Sequence, residues 1–254
     1  MTVHGNNKYF GMGMLISLVL LFVGVSDILL DAVPGIVLYL MAAGGNTIAV
    51  FGIVFPLLAC IPILTEFVPE LESGFFVYKT QKMSQKKYYR KSFWAYVLKG
   101  GCILSIPQII FGIICVFLKK KYNGMPIYMD ILVLPDLAVS HPFLYMCMIA
   151  ANTFLCGCVC ASLGLGIFMF QKNKYIAFCI PFLYYLFSGI VLIRWMPNLS
   201  LTLLYDINTG GVVGMAKRYL YAAIIFAIGG ILFHTGCQKE ADFCYGRSRM
   251  EKMK

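Results

Sequence analysis

Cysteine is the residue type in this chain whose spacing most strongly invites a chemical interpretation. Three cysteines alternate with single residues in the run Cys156-Gly-Cys-Val-Cys160. On a helix, residues two apart lie about 200° from each other around the axis, so these sulfurs cannot converge on one metal ion. We interpret them as small, apolar packing residues and predict no metal site.

Side chains suited to acid–base or nucleophilic catalysis are also sparse. His4, His141 and His234 lie at the edges of apolar segments or outside them, and none of them precedes a glutamate. The zinc-protease helix, which carries a His-Glu step and a second histidine four residues after the first, is therefore excluded. Ser188 has no matching base within an apolar segment. We predict that the chain is not an enzyme and has no catalytic residue or bound cofactor.

Nucleotide binding by a phosphate-cradling loop is excluded as well. Such a loop requires a Gly-Lys step, and no glycine in this chain is followed by lysine. If ATP drives this protein, the ATP and its Mg²⁺ must bind to a separate polypeptide.

The composition predicts that membrane-spanning helices position these residues. The 254 residues are 60% hydrophobic and 13% charged, whereas soluble domains carry about 25% charged residues. The charges fall between apolar blocks, and about 20 apolar residues cross the roughly 30 Å of a bilayer core. Helices satisfy their own backbone groups in lipid. We predict one all-α transmembrane domain, residues 1–254, with six spans near 12–31, 47–65, 93–117, 143–170, 176–196 and 219–236.

Lysine and arginine placement predicts the orientation of these spans. Most of the 21 basic residues fall on one side if both termini lie in the cytoplasm, as the positive-inside rule requires. The net charge of +10 is therefore a topology signal, and we expect a lipid bilayer rather than nucleic acid as partner. The predicted location is the cell membrane, with a cytoplasmic tail at 237–254.

Residues 66–92 form the most informative segment between the predicted spans. Carboxylates come first, then Ser73-Gly74, an aromatic turn and a basic run. Acid at a helix start and base at its end complement the macrodipole, so we predict a short interfacial helix. Its aromatic residues would lie in the headgroup layer or in a groove of a partner protein. A plain basic loop that contacts only lipid is the alternative.

The order of these features resembles the membrane subunits of type-2 ABC transporters, the small six-span permeases of bacteria. A second span ending Phe55-Pro56-Leu57-Leu58-Ala59-Cys60-Ile61-Pro62 is followed by a Glu-x-x-x-Gly element at Glu70 to Gly74. The basic run Lys86 to Lys91 then leads directly into the third span. In that family, the loop between spans two and three contains the coupling helix.

The resemblance implies a function and a set of contact residues. A soluble ABC ATPase would dock on the coupling loop, and a second permease, identical or different, would pack alongside. The cargo would be a peptide or amphipathic compound that is exported. The residues that match the family's contact element are Glu70, Glu72, Gly74, Phe75, Phe76 and Tyr78. Lys79 completes the implied contact set and departs from the family, which often has an arginine at this position. The stretch Pro197 to Arg218 is long enough for the short re-entrant helices that the family places between spans five and six.

Two other classes remain open. A secondary transporter usually carries ionisable residues near the bilayer midplane, and the predicted spans hold few. A non-transporting membrane protein, such as an immunity or sensor factor, would also fit the apolar composition.

Small residues four apart predict close helix packing. The pairs are Gly157 with Ala161, Ser162 with Gly166, and Ala223 with Ala227. Such pairs let helices approach closely in lipid. We expect packing within the chain, with a dimer interface as the alternative.

Overall fold

The computed structural model describes residues 7–27, 35–43, 50–118, 134–206 and 215–251. These ranges hold helices and the turns between them, which confirms the all-α prediction for this part of the chain. A 3-10 turn, Pro197–Leu199, precedes the ninth helix. In chain order the helices are α1 (Asn7–Val23), α2 (Gly35–Ala43), α3 (Val50–Glu72), α4 (Phe75–Lys82), α5 (Gln85–Leu118), α6 (Pro135–Ser140), α7 (Pro142–Gln171), α8 (Lys174–Trp195), α9 (Leu201–Tyr205) and α10 (Met215–Glu251).

Five of the described helices, α3, α5, α7, α8 and α10, are long and apolar enough to cross a membrane. They correspond to the second to sixth predicted spans, and this architecture is compatible with a polytopic membrane protein. The first predicted span, 12–31, is only partly described. Its helix α1 has 17 residues and is shorter than the other five, and residues 28–31 lie outside the described ranges.

Helix α7 lies at the centre of the bundle. In α7, 83% of the most apolar stretch is buried, whereas only 22% and 28% of the corresponding stretches are buried in α8 and α10. Helices α3, α5, α8 and α10 all pack against it. The core of the protein is therefore built around one largely apolar and mostly buried helix, while α8 and α10 keep broad apolar surfaces outside.

Small residues bring the neighbouring backbones close to α7. A Cβ atom added at Gly157 would lie 3.0 Å from the Cα of Gly101 in α5, and one at Gly166 would lie 2.4 Å from the carbonyl oxygen of Gly229 in α10. A side chain at Gly166 would have to displace backbone, and one at Gly157 would have to push its neighbours apart, so glycine favours both approaches. The prediction of packing within the chain is thus confirmed for the two pairs on α7. Ala223 and Ala227, in contrast, are exposed.

Helix α2 was not predicted as an element. It is too short to span a bilayer, but it is almost wholly buried and packs on α5. A Cβ atom added at Gly35 would lie 2.2 Å from the carbonyl oxygen of Cys115. The Tyr39 hydroxyl donates to the Met146 carbonyl at 3.3 Å, which ties α2 to α7 as well.

The segment after α8 folds back into the bundle. The 3-10 turn and α9 follow each other directly, and Leu201 and Leu204 of α9 are buried. The Tyr205 ring stacks on Phe55 of α3 with centroids 4.7 Å apart, and its hydroxyl donates to the Ala43 carbonyl at 3.0 Å. Two short helical turns therefore occupy residues 197–205 of the predicted re-entrant stretch. Residues 207–214 lie outside the described ranges, and the last residues of the stretch, from Met215, already belong to α10.

Candidate functional site: the junction of α3, α4 and α5

The chain changes direction twice between α3 and α5. Gly74 adopts φ +70°, a left-handed conformation that glycine reaches without strain, and α4 begins immediately after it. At the other end of α4, Met83 is extended, with φ −147° and ψ 152°. Helix α4 is therefore a separate short helix that connects two long apolar helices, α3 and α5.

The predicted start of the interfacial helix is wrong. We expected the carboxylates to open that helix, but Glu66, Glu70 and Glu72 occupy the last turns of α3. Acidic residues near a helix C-terminus oppose the macrodipole, so each of these carboxylates requires compensation from elsewhere. The structure supplies it through lysines and tyrosines of the following segments.

Glu70 makes the side-chain contacts that connect the three helices of the junction. It is 9% exposed, and its Oε1 accepts hydrogen bonds from Lys79 Nζ and from the Tyr88 hydroxyl, each at 2.6 Å. Its Oε2 accepts a longer bond of 3.4 Å from the Tyr96 hydroxyl. One buried carboxylate thus connects the end of α3 to α4 through Lys79 and to α5 through both tyrosines.

A second buried carboxylate lies one turn deeper. Glu66 is 2% exposed and forms an ion pair with Lys99 of α5 through its Oε2. Its Oε1 is buried with no hydrogen-bond partner. Glu66 sits in a π-helical turn, Ile63–Phe67, that directly follows Pro62; π turns of this kind are frequent at functional sites.

The two faces of α4 differ. Phe76 is partly buried against the core, with its ring 6.2 Å from Tyr88 and 6.4 Å from Tyr89. On the other face, Val77 and Tyr78 are 50% and 52% exposed. Helix α4 therefore anchors one side to α5 and presents an apolar side outward.

The predicted contact residues divide between these roles. Glu70, Phe76 and Lys79 hold α4 in place within the chain, and Gly74 makes the bend. Tyr78 is outward-facing. Glu72 is also outward-facing, because its side chain is 59% exposed. Its Oε1 lies 3.9 Å from Lys174 Nζ at the start of α8. The remaining predicted contact, Phe75, begins α4, but its side chain lies outside the described part of the structure.

A further polar group lies deep in the bundle. Asn152 of α7 is 1% exposed, donates to the Leu204 carbonyl of α9 and accepts from the Tyr219 hydroxyl of α10 at 2.9 Å. The sequence marks Asn152 as a polar residue in a predicted span, but its two partners are 52 and 67 residues away. It joins α7, α9 and α10.

These arrangements connect helices to one another. Among the described residues, no group of three metal-ligating side chains comes together, and Cys156, Cys158 and Cys160 are buried free thiols. Comparison of the chain with protein-family models, with curated proteins and with solved structures finds no match. Function has to be inferred from the junction itself.

Proposed function

We propose that this chain is the membrane subunit of an ABC transporter of the type-2 kind, with six spans and both termini in the cytoplasm. The observation that carries the proposal is the junction around Glu70. It attaches a short helix to two long apolar helices through hydrogen bonds and leaves Val77 and Tyr78 facing outward. That is the construction required of an element that receives movement from a soluble partner.

In this proposal the motor is a separate ATPase that binds ATP and Mg²⁺. Nucleotide binding brings the two ATPase subunits together, and α4 moves with the ATPase surface on which it is docked. Because Glu70 joins α4 to both α3 and α5, displacement of α4 moves the two helices together as a rigid body. A second permease, identical or different, packs alongside in the cell membrane. The proposed cargo, an exported peptide or amphipathic compound, follows from the aromatic-rich apolar helices.

The test uses the outward face of α4 and leaves Glu70 intact. The affinity-tagged chain is produced in its native cells, purified in mild detergent and probed for a bound ATPase that carries a phosphate-cradling loop. We expect Val77→Asp and Tyr78→Ala to abolish co-purification of the ATPase, since they remove the apolar contact surface. Tyr175→Ala provides the matched control, because Tyr175 is 73% exposed and lies at the start of α8. Loss of the ATPase in the Tyr175→Ala control as well, or retention in both α4 variants, contradicts the assignment of α4 as the docking element.

A secondary transporter is the second candidate, and Glu66 favours it. A buried carboxylate with an unpartnered oxygen, paired with a lysine inside an apolar helix, is the kind of group that binds protons or cations in ion-coupled carriers. The discriminating assay is uptake into proteoliposomes that contain this chain alone. Gradient-driven flux without ATPase, abolished by Glu66→Gln and retained in Val77→Asp, supports this candidate over the ABC permease.

A further inference from the structure

A cleft of about 850 Å³ opens between the beginning of α5 and α10. The two helices both pack on α7, and aromatic side chains bridge the space between them. The cleft has a polar mouth and an apolar floor. Its lining residues are Ser84, Gln85, Lys86, Lys87, Tyr89, Arg90, Phe93, Gly230, Phe233, His234, Cys237 and Gln238.

The mouth of the cleft is cationic. Lys86, Lys87 and Arg90 line it, all three are exposed, and no carboxylate is among the lining residues. None of the ion pairs between described side chains involves these three residues. The first turn of α5 adds the positive end of a 34-residue helix to the same place. The mouth is suited to an anion.

The floor of the cleft is aromatic and continuous with the outer surface of the bundle. Tyr89, Phe93 and Phe233 are at most 9% exposed, and the Phe93 and Phe233 rings lie 5.1 Å apart. The track continues to Phe226, 6.0 Å from Phe93, and to Trp94, 5.9 Å from Phe226. Trp94 is 51% exposed. An apolar path therefore leads from the cationic mouth to the surface of two membrane-spanning helices.

We propose that this cleft binds an anionic phospholipid. The headgroup phosphate lies among Lys86, Lys87 and Arg90, and one acyl chain follows the aromatic floor towards Trp94. A free phosphate would use only the mouth and leave the floor empty. An acidic peptide would not need a path that opens onto the apolar outer face of the spans. The cationic mouth and the aromatic floor that reaches the outer surface of the spans together favour a lipid as the ligand.

The first arm of the test removes the charge. The full-length protein, purified in detergent, is titrated with dioleoylphosphatidylglycerol or dioleoylphosphatidylcholine, and bound lipid is counted by native mass spectrometry. We expect Lys86→Gln, Lys87→Gln and Arg90→Gln to lower phosphatidylglycerol affinity by roughly fivefold each and to leave phosphatidylcholine binding unchanged. A triple variant at Lys8, Lys82 and Lys91, which loses the same charge outside the cleft, should bind phosphatidylglycerol like the parent. The triple variant of Lys86, Lys87 and Arg90 should lose far more affinity than this control. Equal losses in the two triple variants overturn the proposal, because they indicate a general attraction of anionic lipid to basic residues.

The second arm blocks the floor and keeps every charge. A Cβ atom at Gly230 would meet only the Phe93 ring, at 3.7 Å, so a larger side chain there grows into the cleft. Gly230→Phe should abolish selective phosphatidylglycerol binding, and Gly230→Ala should retain it. Undiminished binding by Gly230→Phe overturns the acyl path. Competition by inorganic phosphate as effective as that by the lipid also overturns the proposal, in favour of a free anion.

Discussion

Replacement of Glu70 should loosen the junction from within. In Glu70→Ala the Tyr88 hydroxyl, which belongs to a side chain only 3% exposed, loses the Glu70 carboxylate as acceptor, and Lys79 loses its ion pair with Glu70. A hydrogen bond to a charged group contributes about 1.5–3 kcal/mol. Because the Lys79 side chain is 34% exposed, its share is below about 1 kcal/mol. The 3.4 Å bond from Tyr96 adds little. We expect a total loss of about 3 kcal/mol.

The comparison variants separate the contributions. Glu70→Gln keeps an acceptor for Tyr88 and loses the charge opposite Lys79, so it should cost about 1 kcal/mol. Tyr88→Phe removes the buried bond alone and should cost about 1.5 kcal/mol. Combined with Glu70→Ala, Tyr88→Phe should add almost nothing, because the two changes break the same bond. The control is Glu72→Ala, whose exposed carboxylate should contribute less than about 0.5 kcal/mol.

Two measurements check this prediction. The free energy of unfolding is measured by SDS titration in mixed micelles, and amide hydrogen exchange is followed across residues 75–82. Glu70→Ala should speed exchange in α4 selectively, since that helix loses its attachment to α3. If Glu70→Ala and Glu72→Ala are equally stable, or if the α4 amides exchange no faster in Glu70→Ala, then the carboxylate does not hold the junction and the reasoning fails.

Other contacts give predictions with the same SDS assay. Asn152→Leu should destabilise the protein by about 2–3 kcal/mol, because it removes the hydrogen-bond partner of the Leu204 carbonyl and of the Tyr219 hydroxyl. Tyr219→Phe should cost about half as much. Equal stability of Asn152→Leu and the parent protein would contradict these contacts. Gly229→Ala should disrupt α7–α10 packing, since its Cβ would lie 2.6 Å from the backbone of α7. Gly230→Ala, whose Cβ would make only an ordinary 3.7 Å contact with the Phe93 ring, should be neutral. No difference between the two variants would refute the close approach.

The apolar blocks predict the long helices well, but not where they end. Hydropathy places the start of the third span at 93, while α5 begins at Gln85. The two extra turns are basic and aromatic, and they stay helical because Tyr88 and Tyr89 face the core. A hydropathy pattern reports where the chain is apolar, whereas a helix continues as long as its backbone bonds and its packing favour it.

The roles within the junction could not be predicted from local spacing. Glu70 and Lys79 are nine residues apart, and Glu70 and Tyr88 eighteen, so only the fold brings them together. The same spacing is compatible with carboxylates that point towards a partner. Helix α2 escaped prediction for a different reason: its nine residues match no spanning pattern, and tertiary contacts at Gly35 and Tyr39 hold it in place.

Close backbone packing determines how far a movement at α4 could travel. Gly100 lies one residue after Lys99, and a Cβ atom there would meet the Ala59 carbonyl oxygen of α3 at 2.7 Å and the Ala161 Cβ of α7 at 2.6 Å. Such contacts leave no room for one helix to slide into another, because packed interiors yield little. If α4 is displaced, α3, α5 and α7 should therefore move as one body, and α10 should follow through Gly166 and Gly229. Helix α8, only 22% buried, is the long helix least constrained to follow, so relative movement should concentrate between it and the rest of the bundle.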